Sequence, residues 1–237
     1  MDNEVIVTIH QPESYPWCGF FNKMYNCDKY IILDSVDFRK NYFQNRNKIL
    51  TKNGASFLTI PVKKNGKKRI NEIEISNETN WVSKHWKTII QAYKKSPFFY
   101  EIEDELYDTI NKKHELLASY NIDIILFLKK KLDIKCEVLL SSELNSNFSS
   151  SELILDLCKK TGATTYISGR DGGNYLNENE FKSESIKIIY QEFELYKYEQ
   201  FNSLNGEFVP YLSVIDLIAN VGIEKAKQHI INGWEIV

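Results

Sequence analysis

Runs of β-branched residues alternate with stretches of helix-like apolar spacing along the first third of the chain. Residues 5–9 (VIVTI) and 30–33 (YIIL) predict two buried strands. Between them, the apolar residues of 19–25 (GFFNKMY) recur at the spacing of one helix face. A helical crossover between two strands implies a parallel pair, and a parallel sheet is usually covered on both faces. The opening therefore predicts a βαβ unit.

Further strands and helices are predicted in the rest of the chain. Residues 56–62 and 71–76 predict strands joined by a turn at Asn65-Gly66, and residues 81–132 have a helical pattern that Pro97 interrupts. The remaining segments predict strands at residues 136–140, 163–168 and 185–193, and helices at 151–162, 212–222 and 223–231. We predict an α/β fold with a central, mostly parallel sheet, flanking helices and a helical region.

No flexible linker separates these segments, so we expect one compact domain in three parts. These are an N-terminal α/β part (1–80), a helical segment (81–135) and a C-terminal α/β part (136–237). At 237 residues and 43% hydrophobic residues, the chain is long enough and apolar enough to bury a sizeable core.

Charge and cysteine content exclude several classes of protein. The 30 basic and 32 acidic residues give a net charge of −2, which argues against general electrostatic binding to nucleic acid or to a membrane. The four cysteines form no CxxC pair, so neither a zinc site nor a disulfide framework is expected. No apolar run has the length of a signal peptide core or of a membrane span, so we expect a cytoplasmic protein.

The first candidate site directly follows the first predicted strand, in VTIHQPESYPWCGFF (residues 7–21). His10 can act as an acid, as a base or as a hydrogen-bond donor to phosphate, and Gln11 can both donate and accept hydrogen bonds. Gly19 allows a close approach of the backbone to a ligand, and Trp17 offers a ring for stacking. The alternative is that His10 only satisfies a buried carbonyl group.

Two other polar stretches are candidates for substrate binding. In SGRDGGNYL (168–176), Ser168 and Gly169 belong to a small-residue turn that could hold phosphate through backbone amides. A surface turn is the alternative. In FQNRNKI (43–49), the donor-rich side chains could bind phosphate, carboxylate or hydroxyl groups, or could form an exposed loop; they are Asn45, Arg46, Asn47 and Lys48.

His85 is the third kind of candidate, a histidine on a predicted amphipathic helix beside Trp86. If its face borders a cleft, it can take part in proton transfer; otherwise it is a surface residue. The four histidines show no HExxH or HxH spacing, so no metal site is expected.

In this order, the motifs resemble the WbqC-like protein family. IHQPESYPWCGFFNKM is similar to that family's opening signature, usually HQPxYLPWxGFF, and the resemblance extends over about residues 4–223. It implies a role in bacterial surface-polysaccharide (O-antigen) biosynthesis, with transfer of an acyl or aminoacyl group to the amine of a nucleotide-linked amino sugar. GRDGGN departs from the family's usual pattern, which argues against Arg170 and Asp171 as general functional residues.

For such an amide-forming transferase we predict His10 as the base, because an imidazole titrates near neutral pH. Gln11 and Asn47 are expected to donate to an oxyanion or to the sugar. Arg46 and Lys48 are expected to contact the pyrophosphate. Trp17 or Tyr175 is expected to stack on a base or sugar, and Tyr175 is near the loop of Ser168 and Gly169.

Two alternatives stay open. The layout is also similar to nucleotidylyltransferases and pantothenate synthetase, which implies an ATP-dependent ligase that adenylates a small carboxylate. That family's HxGH motif is absent, and residues 17–20 (WCGF) take its place. The third possibility is a non-catalytic protein that binds a nucleotide sugar. The expected partners are the nucleotide-linked amino sugar and a small acyl or amino-acid donor, with ATP as a candidate cofactor and no metal, nucleic acid or membrane.

Overall fold

The computed structural model describes residues 4–63 and 66–234. The strands are β1 (Ile6–His10), β2 (Lys29–Ile32), β3 (Arg46–Thr51), β4 (Gly54–Thr59), β5 (Glu137–Leu140), β6 (Thr165–Ser168) and β7 (Lys187–Tyr190). The helices are α1 (Cys18–Tyr25), α2 (Trp81–Tyr93), α3 (Glu103–Asn111), α4 (Leu117–Lys131), α5 (Ser150–Lys160), α6 (Glu178–Ser183), α7 (Val214–Val221) and α8 (Ile223–Asn232).

The central sheet has five parallel strands in the order β5-β2-β1-β6-β7, and β3 and β4 form a separate antiparallel pair. Thr8 of β1 lies opposite Tyr30 of β2 on one side and Ile167 of β6 on the other. The predicted α/β fold with a parallel sheet and an opening βαβ unit is confirmed. The strand order changes direction at β1, and in open parallel sheets ligands bind beyond the carboxyl ends of the strands at such a point.

Alternate residues of the central strands pack into two apolar clusters on opposite faces of the sheet. Val7, Ile9 and Ile31 pack with residues of α5 and α6. Tyr30 and Ile32 pack with residues of α1, α4, α7 and α8. A fully buried side chain of this size contributes about 1.5–3 kcal/mol relative to an exposed one, so both faces of the strands hold the sheet in place.

Two segments differ from the predictions. Residues 71–76 do not form a strand; they make only isolated bridges, Val62 with Ile75 and Glu74 with Leu116. Much of the candidate loop 43–49 lies in β3, where Asn47 is paired with Leu58. The turn predicted at Asn65-Gly66 includes a residue outside the described ones. Within the described ranges, the helices are too short or too polar to cross a membrane.

Candidate functional site

A cavity of about 420 Å³ opens at the carboxyl ends of β1 and β6, where the strand order changes direction. Its volume is within the range of small-molecule sites. The lining includes groups from β1, from the following loop and helix, and from the segment after β6; among them are His10, Gln11, Glu13, Trp17, Lys23 and Tyr175.

Three ionisable side chains form a hydrogen-bonded chain in the wall of this cavity. Lys23 Nζ lies 2.5 Å from His10 Nδ1, and His10 Nε2 lies 2.9 Å from Glu13 Oε1. An ammonium group can only donate hydrogen bonds, so Nδ1 is the acceptor. Nε2 then carries the ring proton and donates a hydrogen bond to Glu13. The network therefore assigns a neutral imidazole with a defined tautomer to His10.

The surroundings favour that neutral form. Burial and the nearby Lys23 ammonium lower the pKa of His10 below its usual 6.5, against the opposing effect of Glu13. Burial also lowers the pKa of Lys23 to about 8, again opposed by the charge of Glu13. The His10 side chain is 30% exposed, whereas Lys23 is only 2% exposed. His10 is thus the most exposed member of the chain, although all three side chains line the cavity.

The loop after β1 is tied down by the side chain and backbone of Tyr15. Tyr15 has a φ of 47°, in the left-handed region that a tyrosine rarely adopts. Its carbonyl accepts a hydrogen bond from Asn47 Nδ2 at 3.0 Å, and its hydroxyl lies 2.6 Å from that of Tyr120 and 3.1 Å from His85 Nδ1. These contacts fix the conformation of the loop that places Glu13 beside His10.

Gln11 is oriented by a second side chain. Gln44 donates from Nε2 to Gln11 Oε1 at 2.7 Å, and Gln44 Oε1 accepts from the backbone N–H of Arg39 at 2.6 Å. Within the described part of the chain, the amide nitrogen of Gln11 donates to no other group. With its oxygen engaged, Gln11 can offer N–H to a ligand in the cavity that it lines.

Trp17 and Gly19 both line the cavity, and they fit against each other. A Cβ at position 19 would lie 2.4 Å from the Trp17 ring, so the glycine is required by the indole. Trp17 makes edge contacts with Phe193 and Tyr211, at centroid distances of 5.4 and 5.6 Å. The indole is therefore sufficient reason for a glycine here, and the close approach of a ligand to the Gly19 backbone stays a prediction.

After β6, only part of the predicted phosphate turn borders the cavity. Gly169 and the half-exposed Tyr175 line it. Ser168 does not; it is fully buried, and its hydroxyl donates to the carbonyl of Gly169 at 3.1 Å. A Cβ on Gly172 would lie 1.9 Å from Ser168 Oγ, which shows how tightly the turn closes over this serine. The prediction that Ser168 faces a ligand is wrong.

The segment 45–48 does not reach the cavity, so the predicted substrate contacts of Asn45, Arg46, Asn47 and Lys48 in a site with His10 are wrong. Asn45 and Asn47 are buried, and each donates one hydrogen bond to a backbone group and accepts one from another. Asn45 contacts the Ile60 carbonyl and the Asn41 N–H, and Asn47 contacts the Tyr15 carbonyl and the Lys48 N–H. Both amides hold the backbone in place.

Arg46 and Lys48 lie on the outer side of β3. Their charged groups are placed over the ring of Phe57, at 4.4 and 5.4 Å from its centroid. Alternate residues of a strand point to opposite sides, so these cations are separated from Asn47. Neither is placed to bind a pyrophosphate in the cavity.

His85 is buried away from the cavity, so its predicted position in a cleft is wrong. Its Nε2 donates to the carbonyl of Thr59 at 3.1 Å, and its Nδ1 accepts from Tyr15. Burial lowers the pKa of His85 to about 4, so the ring is neutral. Its contacts support the loop that carries Glu13.

Glu13 and Lys23 were not singled out from the sequence. The spacing offered a partial signal, because Glu13 follows His10 by three residues and Lys23 stands in an otherwise apolar helix face. Within residues 4–63 and 66–234, no group of three or more His, Cys, Asp or Glu side chains is placed to hold a metal ion. The expectation of a site without metal stays a prediction.

Comparison with known proteins assigns the chain to a family. The model of the WbqC-like protein family matches residues 11–228. An uncharacterized protein of Mycobacterium tuberculosis (strain ATCC 25618 / H37Rv), Rv1507c, is 30% identical over 221 residues, which cover 92% of this chain and 94% of that protein. No solved structure matches the chain. By the extent of the family match, which includes most of the cavity lining, this chain belongs to the WbqC-like protein family.

Proposed function

We propose that the protein is a cytoplasmic transferase of bacterial surface-polysaccharide (O-antigen) biosynthesis that moves an acyl or aminoacyl group onto the amine of a nucleotide-linked amino sugar. One observation carries the proposal. His10 and Gln11 are adjacent at the end of β1, line one cavity, and are each oriented by a second side chain, Glu13 or Gln44. A base and an oxyanion donor are the two groups that acyl transfer to an amine requires.

His10 is the proton acceptor in this mechanism. Glu13 holds the proton on Nε2 and leaves Nδ1 as the basic nitrogen, and the lowered pKa keeps that nitrogen unprotonated at neutral pH. In the free protein, the Lys23 ammonium group occupies the position next to Nδ1. The mechanism requires the substrate amine to displace this ammonium group from Nδ1. As its nitrogen bonds to the acyl carbon, its proton passes to Nδ1, and His10 later returns this proton to the departing donor group.

Gln11 stabilises the negative charge that forms on the acyl oxygen. Its carbonyl oxygen is already engaged by Gln44, so its N–H groups do not have to reorient when the charge develops. Trp17 and Tyr175, both in the cavity lining, offer rings to the sugar or base.

A second candidate is an ATP-dependent ligase that adenylates a small carboxylate. The observation in its favour is the cavity's place at the point where strand order reverses, a common nucleotide site in α/β sheets. Release of pyrophosphate in the presence of ATP and a carboxylate distinguishes this reaction from direct transfer.

The test is a search for the amide product by mass spectrometry. The wild-type protein is mixed with UDP- or dTDP-linked amino sugars and with thioester or aminoacyl donors. We expect an amide on the sugar nitrogen, and a rate lower by about a hundredfold or more in His10→Asn. His229→Asn serves as the matched control, because His229 is outside the cavity lining.

Equal rates for folded His10→Asn and wild type would remove His10 from the base role. A rise in melting temperature with the nucleotide sugar, without product from any donor, would instead indicate the non-catalytic binding protein.

A further inference from the structure

A second hollow of about 580 Å³, the outer groove, adjoins the cavity. Its lining includes Glu192, Glu194, Lys197 and Phe208, and it shares three residues with the cavity: Arg170, Phe193 and Tyr211. Because these three residues border both hollows, a ligand in the cavity lies next to the outer groove.

Arg170 stands at the junction with its charge available. It is exposed, and across the described residues its guanidinium makes no ion pair. A guanidinium presents paired donors in one plane, which suits a diphosphate better than a single ammonium does. Lys197 supplies a second positive charge in the outer groove.

Tyr211 presents an unusually exposed ring at the same junction. It is 62% exposed although one edge contacts Trp17, and its φ of 57° lies in the left-handed region. A non-glycine residue in this region has a local energetic cost, which is often found where a side chain is held for binding. An exposed ring beside a cationic group is suited to stacking on a nucleobase.

Carboxylates border both hollows. Glu192 and Glu194 line the outer groove, whereas Glu13 and Asp171 line the cavity. Carboxylates repel phosphate but accept hydrogen bonds from the hydroxyl groups of ribose, as an acidic residue does in dinucleotide sites. A ligand with its diphosphate at Arg170 and its nucleoside further out places each group beside a complementary one.

We propose that Arg170 and the outer groove bind the nucleoside diphosphate part of a ligand whose sugar occupies the cavity near His10. The assignment rests on the proposed function for the sugar, but the nucleoside diphosphate site itself does not require turnover. Arg170 thereby acquires a binding role that its place in the divergent GRDGGN stretch had argued against.

Calorimetric titration of the full chain with UDP, dTDP, ADP and inorganic pyrophosphate tests the site. We expect Arg170→Ala to weaken both the best nucleoside diphosphate and pyrophosphate by at least about tenfold, because a charged hydrogen-bond donor is lost. Tyr211→Ala should weaken the nucleoside diphosphate by about fivefold or more and leave pyrophosphate unchanged. Arg69→Ala and Tyr100→Ala are matched controls, since both residues are exposed and line neither hollow.

Failure of every nucleoside diphosphate to bind, or wild-type binding by folded Arg170→Ala and Tyr211→Ala, would overturn the site. Binding that follows the expected pattern supports it even if no amide product is ever found. In that case the absence of an amide product contradicts only the proposed transferase reaction and not the nucleoside diphosphate site. The two failures are therefore distinguishable.

Discussion

Lys23 Nζ lies 2.5 Å from Nδ1 of His10, so an ammonium group and an imidazole share one hydrogen bond in the wall of the cavity. Glu13 holds the other ring nitrogen at 2.9 Å. The charges of lysine and glutamate oppose each other across a neutral ring, and their effects on the pKa of His10 have opposite signs. The pKa of His10 is therefore set by its burial and by two identifiable neighbours, Lys23 and Glu13.

Replacement of Gln11 tests the oxyanion donor. We expect Gln11→Leu to lower kcat for amide formation by about a hundredfold, the effect typical of losing one such donor. Gln44→Leu should lower kcat less, because Gln11 then remains but is no longer oriented. Gln228→Leu, an exposed control on α8, should leave the rate unchanged. If Gln11→Leu raises KM and leaves kcat intact, Gln11 only binds substrate.

Substitutions of the neighbouring residues Asn47 and Lys48 should differ in their effect on stability, because only the Asn47 side chain holds another segment in place. Asn47→Ala leaves the Tyr15 carbonyl without its donor, so we expect the free energy of unfolding to fall by about 1–3 kcal/mol. Lys48→Ala removes an exposed side chain and should change it by less than about 0.5 kcal/mol. Urea denaturation measures both. Equal effects would show that the amide does not hold the loop.

His85 should make stability depend on pH. Burial lowers its pKa to about 4, so between pH 6.5 and 4 the unfolded chain binds this proton more tightly than the folded chain. The contribution of His85 is fully present above pH 6.5, and about 3 kcal/mol is lost as pH falls to 4.

Urea denaturation of wild type and His85→Gln at pH 7 and pH 4.5 isolates this contribution, since the other titrating groups are common to both proteins. We expect the free energy of unfolding to fall less for His85→Gln. An identical fall in the two proteins would show that the folded state does not depress the pKa of His85.

The fold and the β1 side of the cavity could be predicted from the sequence, because both depend on the local pattern of apolar and polar residues. The β-branched runs and the His10-Gln11 pair at the end of β1 follow from short-range periodicity. The role of Asn47 was not accessible, because its amide is engaged by a carbonyl that only the fold brings near. The same holds for His85, whose partners Thr59 and Tyr15 are 26 and 70 residues away in sequence.

The pKa of His10 tests the central claim most directly, and it can be measured by NMR in histidine-labelled protein without any substrate. The signal is assigned by its loss in His10→Asn, and melting temperatures confirm that each variant is folded. We expect a pKa below 6.5 in the wild type. Lys23→Met should raise it, because a nearby positive charge is removed, and Glu13→Gln should lower it further, because a charge that favours the imidazolium is lost. An ordinary pKa of 6.5 that is the same in all three proteins would contradict the coupled chain of Glu13, His10 and Lys23.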